Sequence, residues 1–324
     1  MSSRSKRSSH RLRAACALGA VALLALCTTL PGTRLDRRGE ELVACGELFH
    51  VGSPVVLWTD AGGYDAYRLE KRFRAAEQPE NKARYGLRGN LPEAIAARVA
   101  QQGWELADLQ QVVHQFVLHF DAAGTSRRCF EILQDVRNLS VHFMLDVDGT
   151  IYQTLDLKER AWHATIANDF AIGIEIAQPG AWSAPRHADM MRWYERDEQG
   201  WRMKFPGFLG DPGVRTPDFV PRPARPEPVQ GKVHGKDLWQ FDYTPQQYRA
   251  LARLTAALSK VFPRIRLEVP RNPDGTVRTT ALPEAELRAF EGIVGHLHVQ
   301  SNKVDPGPAM DWEGLLRQAR SLRD

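Results

Sequence analysis

At 324 residues and 43% hydrophobic content, the chain can bury a sizeable core and is too apolar for a disordered polymer. Its formal charge of +4 is concentrated at the start, where Arg4, Lys6, Arg7, Arg11 and Arg13 meet no acid within residues 1–30; without those five charges the rest stands at −1. The body therefore lacks the basic footprint of a nucleic-acid binder.

The basic start runs into AACALGAVALLALCTTLPG, apolar from Ala14 to about Leu30. A positive segment followed by an apolar one reads as an export signal. The same run is just long enough to read as an uncleaved membrane anchor. LALC, ending at Cys27, reads as a lipoprotein box except for bulky Leu26. The expectation is export to the periplasm or cell envelope, with residues 1–30 as signal peptide or membrane anchor. Of four cysteines, Cys16 and Cys27 fall in this leader, and Cys45 and Cys129 are left either to pair or to stay as buried free thiols.

Residues 31–111 mix short apolar stretches with glycine and charge and read as an N-terminal extension, with a helix over LPEAIAARVAQQGW (91–104). A domain is expected over 112–324. QFVLHF (115–120) has the composition of a buried strand. SVHFMLDVDGTIYQTL (140–155) reads as two strands joined around Asp-Gly. FAIGIEIAQ (170–178) is a further strand, with Ile172, Ile174 and Ile176 on one face and Gly173, Glu175 and Ala177 on the other. Residues 179–236 are rich in Pro, Gly and Trp and read as a long irregular insertion. Regular structure resumes in DYTPQQYRALARLTAALSKVF (242–262), a helix with Thr244 as N-cap and Pro245 at its first position. PEAELRAF is a short helix, GIVGHLHV a strand or strand end, and DWEGLLRQARSL a last helix. Strands alternating with helices imply an α/β or α+β layered domain.

The histidines carry the chemical signal. His119 ends a predicted strand, His163 lies in AWHATIAND ahead of the Glu175 strand, and His296 and His298 stand close to Asp305. Zinc accepts imidazole nitrogen and carboxylate oxygen, and a catalytic site uses three protein ligands. One ligand from an early strand and two from a later loop satisfies that pattern. On a strand, His296 and His298 would share a face, so spacing leaves either or both able to reach one ion. His114 and His142, inside apolar strands, read as hydrogen-bonded core histidines. Trp162, Trp182, Trp193, Trp201 and Trp239 read equally as stacking surfaces for sugar or peptide and as the packing of an irregular segment.

FVLHFDAAG, SVHFMLDVDGTIYQTL, AWHA, NDFAIGIEI and VGHLHVQSNKVDPGPAMDW resemble, in order and rough spacing, the zinc-dependent N-acetylmuramoyl-L-alanine amidases, relatives of the peptidoglycan recognition proteins. The resemblance spans about 112–178 and 242–316 and leaves the first ninety residues and the 179–236 insertion unexplained. It implies a mixed central β-sheet flanked by helices. It also implies a Zn2+ site of His119, His296 and Asp305, with His298 either behind the ligands or facing substrate; the chemistry adds His163 and Trp162 as substrate-facing candidates. Glu175 matches the acidic residue that handles protons and Lys303 the lysine facing the reacting carbonyl. Val141 stands where some members carry a tyrosine, which leaves Glu175 as the expected base.

The implied function is a peptidoglycan hydrolase that cleaves the amide between N-acetylmuramic acid and L-alanine of the stem peptide through zinc-activated water. Peptidoglycan or muropeptides are the expected partners. A receptor that binds peptidoglycan without hydrolysis, a zinc amide hydrolase of other substrate and an anchored structural envelope protein are the rivals. The first of these needs none of the ligand, Glu175 and Lys303 set.

Overall fold

The computed structural model describes residues 37–74 and 82–323, so the leader and its three readings lie outside the described residues. Among these, no helix is long and apolar enough to cross a membrane. In chain order, the hairpin β1 (Glu41–Ala44) and β2 (Glu47–His50) precedes β3 (Val55–Leu57) and β4 (Tyr85–Gly86). Helices α1 (Glu93–Gln102) and α2 (Leu106–Val112) lead into β5 (Gln115–Phe120), which is followed by α3 (Ser126–Glu131) and a π-helical turn over Ile132–Arg137. Next come β6 (Phe143–Leu145), β7 (Ile151–Gln153), β8 (Arg160–Ala161) and β9 (Ala171–Ile176).

Strand pairing gives one six-stranded sheet in the order β14–β5–β9–β6–β7–β3, where β14 is Gly292–Gly295. All neighbours are parallel except β6 and β7, the hairpin expected around Asp-Gly. This is the mixed central sheet flanked by helices. Period-two alternation decides what each face receives. Phe116, Leu118, Ile172, Ile174 and Ile176 enter the large core on the side of α5 (Pro245–Val261) and α8 (Trp312–Arg323). The opposite face carries Met144 and Tyr152 into a second core with Cys129, Phe130 and Leu133 of α3 and its π-turn. His119 and Glu175 share the alternate positions of β5 and β9, away from the α5 side.

Helix α5 starts where expected. Thr244 Oγ1 accepts from the Gln247 amide at 3.0 Å, and the Gln247 side chain accepts from the Thr244 amide at 2.9 Å, a reciprocal cap worth about 1 kcal/mol. The extension is stitched into the domain by β3, which forms the sheet edge, and by two buried arginines, Arg84 and Arg88. The Arg88 guanidinium donates to the carbonyls of Leu157 at 2.8 Å and Ala171 at 3.0 Å. Cys45 packs with the α5-side core and Cys129 lies in the opposite one; both are free thiols.

The insertion corrects the expectation of an irregular segment. It holds a short helix α4 (Ala188–Met191) and the antiparallel hairpin β10 (Tyr194–Asp197) with β11 (Gly200–Met203), and it opens a second hairpin, β12 (Val229–Val233) with β13 (Lys236–Gln240), that ends just beyond it. The β12–β13 turn places His234 at φ 50 and Gly235 at φ 76, the two positive values of a type I′ hairpin. His-Gly is not the Asn-Gly or Asp-Gly usually read as that turn, so the hairpin is hidden in the sequence. Trp182, Trp193, Trp201 and Trp239 pack with Met190, Tyr194 and Phe241 into a small core that also takes in Val147 and Ala177 of the domain. The remaining helices are α6 (Glu284–Ala289) and a single turn α7 (His296–Val299).

Candidate active site

Three neighbouring parallel strands, β14, β5 and β9, end side by side, and ligands of open α/β sheets bind outside the carboxyl ends of strands. His119 is the next-to-last residue of β5, and the sheet register pairs it directly with Glu175 of β9. β14 stops at Gly295 and the chain turns into α7, which brings His296 over the same strand ends. Asp305 arrives from the following loop, where its carbonyl accepts from the Leu297 amide at 2.9 Å. The Asp305–Pro306 peptide is cis.

His119, His296 and Asp305 are 2%, 5% and 7% exposed. His119 Nδ1 lies 3.0 Å from His296 Nδ1 and 2.9 Å from Asp305 Oδ2, and His296 Nδ1 lies 3.0 Å from the same oxygen. Two imidazole nitrogens and a carboxylate oxygen thus aim lone pairs at one point. A proton can satisfy only one pair in this triangle, whereas a divalent cation satisfies all three. Tetrahedral zinc with N/O ligands at about 2.0 Å needs ligand separations of about 3.3 Å, so a small outward relaxation accommodates it. The donor set fits zinc, and these residues form the one such cluster among the described residues.

The atoms behind the ligands fix their tautomers. His296 Nε2 donates to Gln300 Oε1 at 2.8 Å, which leaves Nδ1 bare for a cation. His119 Nε2 lies 2.9 Å from His163 Nδ1, so with Nδ1 committed to the site His119 donates and His163 accepts. The second nitrogen of His163 then carries a hydrogen, is buried and has no hydrogen-bond partner. The His163 ring lies against Gly173, where a Cβ would come within 2.4 Å of it. Gln300 escaped the sequence reading; its only signal was a position four residues after His296, one helical turn on.

His298 stands behind the ligands, one of the two places expected for it. Because the strand ends before it, His296 and His298 sit two apart on a helical turn, about 200° from one another. His298 is completely buried, its Nδ1 accepts from the Gly295 amide at 2.8 Å, and its Nε2 donates to the Arg278 carbonyl at 2.6 Å. Both nitrogens are occupied away from the cavity, so it neither ligates nor faces substrate. It locks the turn that presents His296.

A cavity of about 200 Å³ opens over the site, walled by Glu175, Lys303, Trp162, His163, Leu133 and Arg137. The structure therefore gathers every other site residue expected from sequence. Leu133 and Arg137, from the π-turn, are additions that no spacing indicated. Burial holds the His119 imidazole down at about 4, with His296 adding to the effect, so it is neutral at physiological pH. Burial pushes the Asp305 carboxyl up, but hydrogen bonds to His119 and His296 overcome this and hold it below the usual carboxylate range. Glu175 is raised well above that range by burial and then by the charge of Asp305, against the opposing pull of Lys303 and Arg137. Two carboxyl groups in one site thus have oppositely shifted proton affinities, lowered at Asp305 and raised at Glu175. His142, by contrast, is a satisfied core residue, its Nδ1 accepting from the Gly173 amide at 3.1 Å and its Nε2 lying 3.0 Å from the Glu159 carbonyl.

The chain is similar to known proteins over part of its length. Residues 109–198 match the family model described as N-acetylmuramoyl-L-alanine amidase, a span that includes His119, Trp162, His163 and Glu175 and stops short of His296, Lys303 and Asp305. Among solved structures, a selenomethionine derivative of AmpD is similar at 19% identity over 66% of this chain and 87% of that one, with a TM-score of 0.31. AmiD from E. coli, solved with anhydro-N-acetylmuramic acid-L-Ala-D-γ-Glu-L-Lys, is 16% identical over 67% of this chain and 59% of that one, with a TM-score of 0.35. LysC from Clostridium intestinale URNW, an N-acetylmuramoyl-L-alanine amidase, is 14% identical over 65% of this chain and 88% of that one, with a TM-score of 0.34. No curated protein matches at the same stringency. Over residues 109–198, which carry His119 and Glu175, the chain is thus similar to the N-acetylmuramoyl-L-alanine amidase family.

Proposed function

We propose that the chain is a zinc-dependent amidase that cleaves the bond between the lactyl group of N-acetylmuramic acid and L-alanine of the stem peptide, and that it is exported to act on peptidoglycan or muropeptides in the periplasm or cell envelope. The observation that carries the reading is the direct pairing of Glu175 with His119 across β5 and β9, at the wall of the cavity where His296 and Asp305 converge. His119, His296 and Asp305 would hold the metal. Zinc bound there supplies a Lewis acid that acidifies water and polarises an amide carbonyl.

The protein's own groups supply the rest. Glu175 takes a proton from the attacking water and returns it to the departing nitrogen, and its raised proton affinity suits both transfers. The carbonyl carbon gains an oxygen and loses its nitrogen, leaving a carboxylic acid and a free amino terminus. Lys303 faces the same cavity and donates to the oxygen as negative charge develops on it. Trp162 offers a flat surface to sugar or peptide.

Purified protein incubated with muropeptides, with and without a chelator, tests the reading. New L-alanine amino termini should appear, be lost on chelation, and be lost in Glu175→Ala while zinc still binds. If no new amino termini appear under any metal condition, the enzyme reading fails.

A further inference from the structure

The insertion lies outside the sequence resemblance, yet the second hairpin, which it opens, grips the loop that delivers Lys303 and Asp305. At the hairpin's tip, the His234 amide donates to the Thr279 carbonyl at 3.0 Å, and His234 Nε2 donates to the Lys303 carbonyl at 2.9 Å. Beside it, Val233 and Leu238 bury themselves against Leu297 and Val304, the residues that follow His296 and Lys303. At its base, Gln240 holds both sides of Gly307. Its Nε2 donates to the Pro306 carbonyl at 3.1 Å and its Oε1 accepts from the Ala309 amide at 3.0 Å. The approach is close: a Cβ on Gly307 would stand 2.2 Å from Gln240 Oε1, and one on Gly231 of β12 would stand 2.8 Å from Pro308. The far side of the hairpin is anchored by reciprocal backbone bonds between Trp182 and Trp239 at 2.8 and 2.7 Å.

We propose that the β12–β13 hairpin is a positioning strut for the 303–309 loop, with Gln240 as the positioning residue for the Asp305 arm of the metal site and His234 as the positioning residue for Lys303. A loop carrying a metal ligand and a charged side chain has few means of holding both to within a fraction of an ångström on its own. Here bonds from Gln240 and His234 fall within a few residues on either side of Asp305, and none of the donors or acceptors is needed for the hairpin's own ladder. The Asp305 half rests only on the ligand cluster; the Lys303 half rests also on the amidase reading.

The test uses the full chain and two substitutions. Zinc affinity of the metal-free protein is measured by competition with a chromophoric chelator, at a temperature where circular dichroism shows each variant fully folded. Gln240→Leu should bind zinc about tenfold more weakly, the loss typical when an outer partner of a ligand is removed. Unchanged affinity in folded Gln240→Leu overturns the strut. His234→Ala should lower kcat on muropeptides about tenfold with KM and zinc affinity within about twofold, and His234→Gln, which can still donate to the Lys303 carbonyl, should recover most of it. Unchanged kcat in His234→Ala overturns the Lys303 half. If the wild-type protein cleaves no muropeptide, the amidase reading and that half fall together, while the zinc titration of Gln240→Leu still decides the other.

Discussion

Gly173→Ala is a small change with a calculable consequence at the metal site. Gly173 lies on β9 between Ile172 and Ile174, in the ordinary extended backbone of a strand, so alanine meets no conformational penalty there. Its methyl group would stand 2.4 Å from His163 Cε1 and 2.5 Å from Nδ1, where carbon contacts are normally about 3.5–4.0 Å. The strand is central and cannot yield, so the ring must retreat by about 1 Å. A retreat of about 1 Å is the difference between a 2.9 Å hydrogen bond from His119 to His163 and none. His119 then loses the partner that fixes its tautomer and ring plane, which costs about 10–100-fold in metal affinity, or about 1.4–2.8 kcal/mol. Competition titration of the metal-free protein reads this directly. His163→Ala should give a similar loss without the overlap, and the double substitution should lose little more than either alone. A folded Gly173→Ala protein that binds zinc as tightly as the wild type would refute the idea that His163 holds His119 in place.

Two further outcomes follow from the geometry. His298→Ala should weaken zinc binding far less than His296→Ala, which should lose zinc, but should destabilise the fold by about 2–5 kcal/mol, since it leaves a cavity and strands the Gly295 amide and Arg278 carbonyl; the reverse pattern in the same titration and in urea melts would overturn the ligand assignment. Asp146 is completely buried and its carboxyl is pushed up to about 8 by burial, so its stabilising contribution is present at acid pH and is lost as pH rises from about 4 towards about 8, at up to about 1.4 kcal/mol per pH unit. Asp146→Asn removes that dependence, so its thermal midpoint relative to wild type should climb between pH 5 and pH 8; a difference that stays constant with pH counts against it.

The fold was readable wherever local pattern and final environment agreed. Strands β5 and β9 carry buried apolar residues on one face and a His or Glu on the other, and both elements stand where that alternation puts them. Helix α5 announces itself with Thr-Pro-Gln-Gln, whose cap is present atom for atom. Elements set by long-range contact were not readable. β3 is three residues of Val-Val-Leu whose only distinction is that β7 lies beside it. The β12–β13 hairpin has an alternating pattern diluted by Gly231, Lys232 and Lys236, and a turn whose second residue alone suits positive φ.

The candidate site shows the same division at finer grain. Residue types near it suggested a cation, but the choice between His296 and His298 depends on where a strand stops. Had β14 run on through Val299, the two rings would share a face at a spacing of about 7 Å and either could ligate. It stops at Gly295, where no side chain fits: a Cβ there would stand 2.6 Å from Pro306, on the loop that brings in Asp305. The chain turns into α7, the His298 ring accepts the Gly295 amide, and His296 alone swings over the strand ends. The Gly-His pair is thus one device, in which the glycine admits the Asp305 loop and the histidine meets it. The third ligand and the turn that selects the second are fitted to each other, and that fit is a property of two segments in contact that neither segment displays alone.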